Sequence, residues 1–304
     1  MGFIDDINDM SPAASEHLLG NKIAGIGMNP YLFGSLPSTW VKHYYVSPLG
    51  LDSNSGLTPS LPVKTIQHAI DLSTQNNGLK KHIVVHLLPA FSANNTLYDF
   101  DDESVAAASV TSGFERLINS TIYIYRSNIH FVGEGPLGTV VIKPAAAASA
   151  GIVAIKTGMC NISFHNIVFD MTTAAGEAIQ TSGTVRNLHI LNNVFVLGVD
   201  VIDLDAGLCT DCIIANNRFY GLSAANGDYI NVGGLRCIIK NNIIEHNTAN
   251  ASTGYAIGLA ATENNHSCII DGNIIHGGDW DGATNILAAG IVLADNVKHC
   301  IVCN

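Results

Sequence analysis

The chain has 304 residues, 47% hydrophobic and only 13% charged, with a formal net charge of −11 and a pI near 5.4. So acidic a chain is a poor match for a nucleic-acid backbone, whose phosphates call for Lys and Arg. No run approaches the ~20 apolar residues of a membrane-spanning helix, and Met1-Gly2-Phe3-Ile4-Asp5-Asp6 has no basic-then-apolar leader, so the expectation is a protein made and kept in the cytosol, or released without the secretory route.

Residues 1–40 carry no strand or helix period beyond one short helix, with Ser11 as cap, Pro12 in the first turn and Gly20 at the end. Tyr31, Leu32, Phe33 and Trp40 make the rest an apolar arm rich in Gly and Pro. It reads either as an attachment arm for a larger assembly or as a wrap on the body of its own chain. Residues 62–73 predict a helix with Ile66, Ala69, Ile70 and Ser73 on one side. Its expected task is to cap the first coil of the strand-rich region beyond it, because an open strand edge invites pairing with other chains. Asp99, Asp101, Asp102 and Glu103 sit together in a looser stretch, read as a solvated face or a cation site. Thr121-Ile122-Tyr123-Ile124-Tyr125 alternates as a strand, and 144–150 is a loop of small residues.

From Cys160 onward one phrase recurs. Asp211-Cys212-Ile213-Ile214-Ala215-Asn216-Asn217 returns as Arg236-Cys237-Ile238-Ile239-Lys240-Asn241-Asn242 and as Ser267-Cys268-Ile269-Ile270-Asp271-Gly272-Asn273, and it begins again at His299-Cys300. Looser copies run Asn161–Phe169 and Asn187–Phe195. With the last Asn of each copy aligned at 166, 193, 217, 242 and 273, the steps are 27, 24, 25 and 31 residues, a period that marks stacked repeats. Each copy has an upstream partner with Ile in second place: Ile152, Ile179, Ile202, Ile230, Ile257 and Ile291. One repeat is therefore two or three short strands joined by Asn turns, and like residues stack at the ~4.8 Å spacing of paired strands. Cys212, Cys237, Cys268 and Cys300 form a second inward column, read as buried thiols. Asn193, Asn217, Asn242 and Asn273 form an outer or turn-lining ladder. Cys209 with Cys212, and Cys300 with Cys303, have Cys-x-x-Cys spacing but no matching second ligand pair, so no metal site is assigned.

These columns, with His43–Gly50 and Lys64–Ile70 upstream, resemble the pectin-lyase-like superfamily. The resemblance implies an all-β chain, a right-handed single-stranded parallel β-helix (a solenoid) over 41–304, with regular coils over about 121–304, a capping α-helix and a short N-terminal arm. It implies nothing specific about activity, since one fold hosts many functions. The superfamily's best-known site patterns are missing: no Asn-Thr-Asp with Asp-Asp and Gly-His-Gly, and no Arg-x-Pro-x-x-Arg.

Two places could carry chemistry. Asp203 and Asp205 are two apart on one strand, so both point outward with Cα atoms ~6.5–7 Å apart, compatible with the wider carboxylate spacing of inverting glycosidases. Gln180 and Asn231 fall in the same outward column one coil before and after, and Asp200 and Asp228 lie near the adjoining turns. The plain alternative is a polar exterior strand. Asp279, Trp280 and Asp281 sit in a longer coil, as a glycan or partner contact or as local packing; a calcium ion is the weaker alternative there, because the later acidic ligand is missing.

The function expected from the sequence is a structural or adhesive virion protein of a tailed bacteriophage, of the tailspike, fibre or capsid-decoration type. It would contact other virion proteins through the arm and a host-surface polysaccharide through its coils. A homo-oligomer, a trimer by resemblance, would cover the last coil, which breaks off at Cys303-Asn304. The alternatives are a polysaccharide lyase or glycoside hydrolase working through Asp203 and Asp205, and a cell-surface adhesin.

Overall fold

Each coil turns at residues that accept a left-handed backbone. In the computed structural model one file of these runs Asn128, Asn161, Asn187, Asp211, Arg236, Ser267 and His299, and a second runs Asn166, Asn192, Asn216, Asn241 and Gly272, all between φ 53° and 60°. Asn and Gly tolerate that region best, which is why Asn recurs at the corners. The structure describes residues 41–77, 81–91, 97–98, 121–143, 151–172, 176–221, 227–246, 254–259, 266–276, 289–294 and 297–303. The chain divides into Met1–Leu36 and Pro37–Asn304, and the described residues all belong to the second unit. The short helix expected near Ser11, the arm residues Tyr31, Leu32, Phe33 and Trp40, the Asp99–Glu103 cluster, the loop 144–150 and Asp279, Trp280 and Asp281 lie outside them.

Between the corners lie three rows of parallel strands, each strand pairing with its counterpart one coil away. The first row runs Ile122–Ile124, Val153–Ile155, Ile179–Thr181, Ile202–Thr210, Ile230–Leu235, Tyr255–Leu259 and Ala289–Leu293. The second runs from Val41–Val46 through His82–Leu87, Ile129–Gly133, Cys160–His165 and Val185–Leu191 to Ile213–Ala215, Ile238–Lys240, Ile269–Asp271 and Ile301–Cys303. The third runs Val141–Ile142, Val168–Asp170, Val194–Val196, Arg218–Tyr220, Ile243–Glu245 and Ile274–His276. The two described strands outside these rows, Ala90–Phe91 and Leu97–Tyr98, form a small antiparallel pair.

Alternation puts one side of every row into a single core. Ile179, Ile202, Ile230 and Ile257 stack in register and are fully buried. The residue that precedes Ile179 in that column is Val153, not the Ile152 expected from the repeat. The third row contributes Phe169, Phe195 and Phe219, whose rings stack at 5.0 and 4.9 Å. Cys212, Cys237 and Cys268 are buried as expected, each directly after a left-handed corner residue, whereas Cys300, just before the strand Ile301–Cys303, is only half-buried. All seven cysteines are free thiols.

The Asn ladder is internal. Asn193, Asn217 and Asn242 are at most 1% exposed. Each side-chain oxygen accepts the backbone N–H of the ladder residue one coil earlier, at 2.9–3.0 Å, and each side-chain N–H donates to a carbonyl, Phe164, Ile190 or Ile214. Asn166 does not belong to this ladder. It is a left-handed corner residue, and Ile167 takes the ladder place, its N–H bonded to Asn193 Oδ1 at 3.0 Å.

The helix spans Ile66–Asn77 rather than 62–73. Its start is fixed by Thr65, whose Oγ1 accepts the His68 N–H at 3.2 Å as an N-cap, and by Asp52, which accepts the N–H groups of Lys64 and Thr65. Val63 is held out of the helix by a bridge to Val46. Ile66, Ala69, Ile70 and Ser73 are all buried. The capping expectation acquires a mechanism here. Gln67 accepts the Tyr123 N–H at 2.8 Å and donates to the Tyr123 carbonyl at 3.3 Å, so one side-chain amide stands in for a neighbouring strand at the edge of the first row.

Candidate functional site

The outward side of the first row carries one file across seven coils: Tyr123, Ala154, Gln180, Asp203, Asn231, Gly258 and Val292. Inward neighbours Ile202 and Leu204 are fully buried while Asp203 and Asp205 are partly exposed, as the alternation predicts. Gln180, Asp203 and Asn231 are consecutive in that file.

Asn231 ties the acids together. Its Nδ2 lies 3.2 Å from Asp205 Oδ2 and 3.5 Å from Asp203 Oδ1, and the Asp205 N–H reaches Asp203 Oδ1 at 3.3 Å. Partial burial is the first cause that raises Asp203 to about 7, followed by the Asp205 charge and a side-chain hydrogen bond with Asp205. A like charge beside a partly buried carboxyl favours its protonated form, so Asp203 is the acid that keeps a proton. The strand spacing separates the Cα atoms, while the Asn231 amide and the Asp205 N–H draw both side chains toward the same stretch of strand.

Asp200 and Asp228 have different work. Asp200 Oδ1 accepts the Asp228 N–H at 2.8 Å, and Asp228 Oδ1 accepts the Tyr255 N–H at 2.7 Å, one coil to the next. They fasten the corner beside the site. Burial and the charges of Asp200 and Asp205 raise Asp228 in turn. Gly227 and Gly254 allow this corner to close: a Cβ on Gly227 would fall 1.6 Å from the Val199 carbonyl oxygen, and one on Gly254 1.8 Å from that of Gly227. Ala154 and Gly258 leave shallow floor at both ends of the polar triplet. At the far end Lys156 Nζ lies 4.5 Å over the exposed Tyr123 ring. The sequence does not single out that pair, because only the register shows that it shares the file of Asp203, ~14 Å and three coils away.

A raised acid is a stability statement. Asp203 keeps a proton in the folded chain up to about pH 7 that an unfolded Asp releases near pH 4. Folding stability from this group is therefore greatest in acid and falls as pH rises from about 4 to 7. Asp203→Asn is expected to stabilise the chain by about 1–2 kcal/mol at pH 8, after discounting for solvent screening, and to be near neutral below pH 4. Urea unfolding of both chains at the two pH values reads this, and an equal effect at both would contradict it.

Among the described residues no group of three or more His, Cys, Asp or Glu is arranged to hold a metal ion, and no helix is long and apolar enough to cross a membrane. No family model matches the chain, and no curated protein matches it. Among solved structures it is similar to a rhamnogalacturonan lyase, with a TM-score of 0.53 at 14% identity over 86% of this chain and 67% of the lyase. It also aligns with the A-module of a mannuronan C-5 epimerase from Azotobacter vinelandii, with a TM-score of 0.34 at 15% identity over 78% of this chain and 61% of that one. A protein of Geobacillus virus E2 aligns with a TM-score of 0.26 at 14% identity over 94% of this chain and 65% of that one. The likeness to the lyase is one of fold, stacked coils of parallel strands as in a parallel β-helix.

Proposed function

We propose that the chain is an adhesive β-helix protein of a virion, of the tailspike, fibre or capsid-decoration kind, and that Gln180, Asp203, Asp205 and Asn231 form its glycan-contacting face. The observation that carries the glycan reading is the outward file itself. Amide and carboxyl groups stand on rigid strands, in register, with Ala154 and Gly258 leaving the ends of the triplet open. Carboxyl and amide groups fixed side by side are suited to pairs of sugar hydroxyls, as donor and acceptor together. The virion part rests on the apolar residues Tyr31, Leu32, Phe33 and Trp40, which suit docking into a larger assembly as a homo-oligomer, a trimer in the simplest case.

A second reading is favoured by one specific observation. A carboxyl that still holds its proton near neutrality, as Asp203 does, can act as a general acid, and the chain would then cleave the glycan it binds. A panel of neutral, amino-bearing and acidic polysaccharides separates the two. Binding that weakens tenfold or more in Asn231→Ala, with no new reducing ends or unsaturated products, is the expected result. Product release that disappears in Asp203→Asn would establish cleavage instead, and no binding to any member would remove the glycan reading.

A further inference from the structure

Six of the chain's twelve histidines lie on one surface, the side of the second strand row that faces away from the core. The register makes the files. His43, Val84, His130, Ser163 and His189 follow one another, and beside them run Tyr45, His86, Val132, His165 and Leu191, with His82 next to Val41. His130 and His189 are each 1% exposed.

The rings are joined to one another. His86 Nδ1–H donates to Glu134 Oε1 at 2.5 Å, and His86 and His43 share a hydrogen bond of 2.8 Å between Nε2 and Nδ1. Tyr45 stacks on His86 with centroids 4.7 Å apart. His82 Nδ1 meets His130 Nε2 at 3.1 Å, and His130 Nδ1 meets Ser163 Oγ at 2.9 Å. His165 Nε2 accepts from Asn192 at 2.7 Å. His189 is the register neighbour of Ser163, and its Nε2 is buried without a hydrogen-bond partner. Among the described residues, the charged groups facing these rings are Glu134, against His86, and the fully buried Arg126, against His82 and His130.

A hydrogen bond between two imidazoles needs a proton on one nitrogen and a lone pair on the other. Each pair can therefore carry one proton and stay joined, but a second sets donor against donor. Protons on His130 and His189 also bring charge next to buried Arg126 or to a site with no acceptor. We propose that this surface is an acid-responsive seam: in mild acid the His43–His86 and His82–His130 pairs split, and the coils from Val41 to Leu191 loosen ahead of those beyond.

Burial is the first cause that holds His43, His82, His130, His165 and His189 below the ordinary histidine range, with His189 at about 4. A histidine lowered on folding contributes stability that is complete above about pH 6.5 and is lost as pH falls toward the folded value. For His189 alone, a fall from pH 7.5 to pH 5 favours the opened form about thirtyfold. The later coils supply an internal reference, because the same outward files continue there as Ile213, Ile238 and Ile269 with Ala215, Lys240 and Asp271.

Hydrogen exchange of the full chain at pH 7.5 and pH 5, corrected for the intrinsic rate, tests the seam. Protection of His82–Leu87, Ile129–Gly133 and Val185–Leu191 is expected to drop thirtyfold or more, with less than about a threefold change in Ile213–Ala215 and Ile238–Lys240. The His130→Gln, His189→Gln chain, neutral at both positions at every pH, is expected to lose most of that drop. An equal drop in all coils, or an undiminished one in the double variant, would overturn the proposal. Should the variant not fold, titration of the wild-type histidine rings decides: ordinary titration of all six with unchanged exchange also overturns it.

Discussion

Asn217→Leu is expected to lower the unfolding free energy by about 3–5 kcal/mol. Asn217 is fully buried, and its amide serves both neighbouring coils. Its Oδ1 accepts the Asn193 N–H at 2.9 Å and its Nδ2 donates to the Ile190 carbonyl at 2.8 Å and to Asn242 Oδ1 at 3.1 Å. Leucine keeps roughly the volume but leaves the Asn193 N–H in a dry interior without its acceptor and takes one donor from both the Ile190 carbonyl and Asn242 Oδ1. Each such group costs about 1–3 kcal/mol. Its sequence neighbour supplies the contrast. Asn216 is exposed and holds φ at 57°, so Asn216→Ala strains one corner for about 1–2 kcal/mol and orphans nothing inside. Urea unfolding of the two variants should therefore rank Asn217→Leu well below Asn216→Ala. Equal losses would mean that the second Asn is only a corner residue, as the first is.

Phe195→Ala comes next in size, at about 3–5 kcal/mol. The Phe195 ring is fully buried and lies between Phe169 and Phe219 at 5.0 and 4.9 Å, so its removal opens a cavity bounded by rigid strands that cannot collapse into it. In a stack where each coil touches only its neighbours, the loss stays local. Phe195→Leu should recover most of it, to within about 1.5 kcal/mol of the parent. Thermal unfolding of the pair checks both figures, and a Leu variant as weak as the Ala one would point to ring stacking rather than volume.

The Asp203 and Asp205 pair shows where reading residues in a line reaches its limit. Alternation between Ile202 and Leu204 was enough to put both acids outside the core, and the repeat was enough to set Gln180 and Asn231 beside Asp203. That both carboxyls meet the one Asn231 amide depends on side-chain directions, which a spacing of two does not encode. Asp200 and Asp228 looked equally chemical and are instead corner fasteners, because their oxygens meet backbone N–H groups one coil on.

The histidine surface was not legible at all. Its members are separated by 43 residues between His43 and His86, 48 between His82 and His130, and 33 between His130 and Ser163. No repeat length links them, since the early coils carry insertions of unequal size. What the sequence by itself determined was what recurs: the coil and its short strands, the Ile column from Ile179 to Ile291, the buried thiols Cys212, Cys237 and Cys268, and Asn at the turns. Those come from local steric preference and from the burial of alternate residues, which act within a few residues of chain. The tertiary structure alone decided which Asn turns and which bonds inward, which carboxyls meet, and which histidines share protons. These depend on the register between coils, and register is set by hydrogen bonding across the stack rather than by distance along the chain.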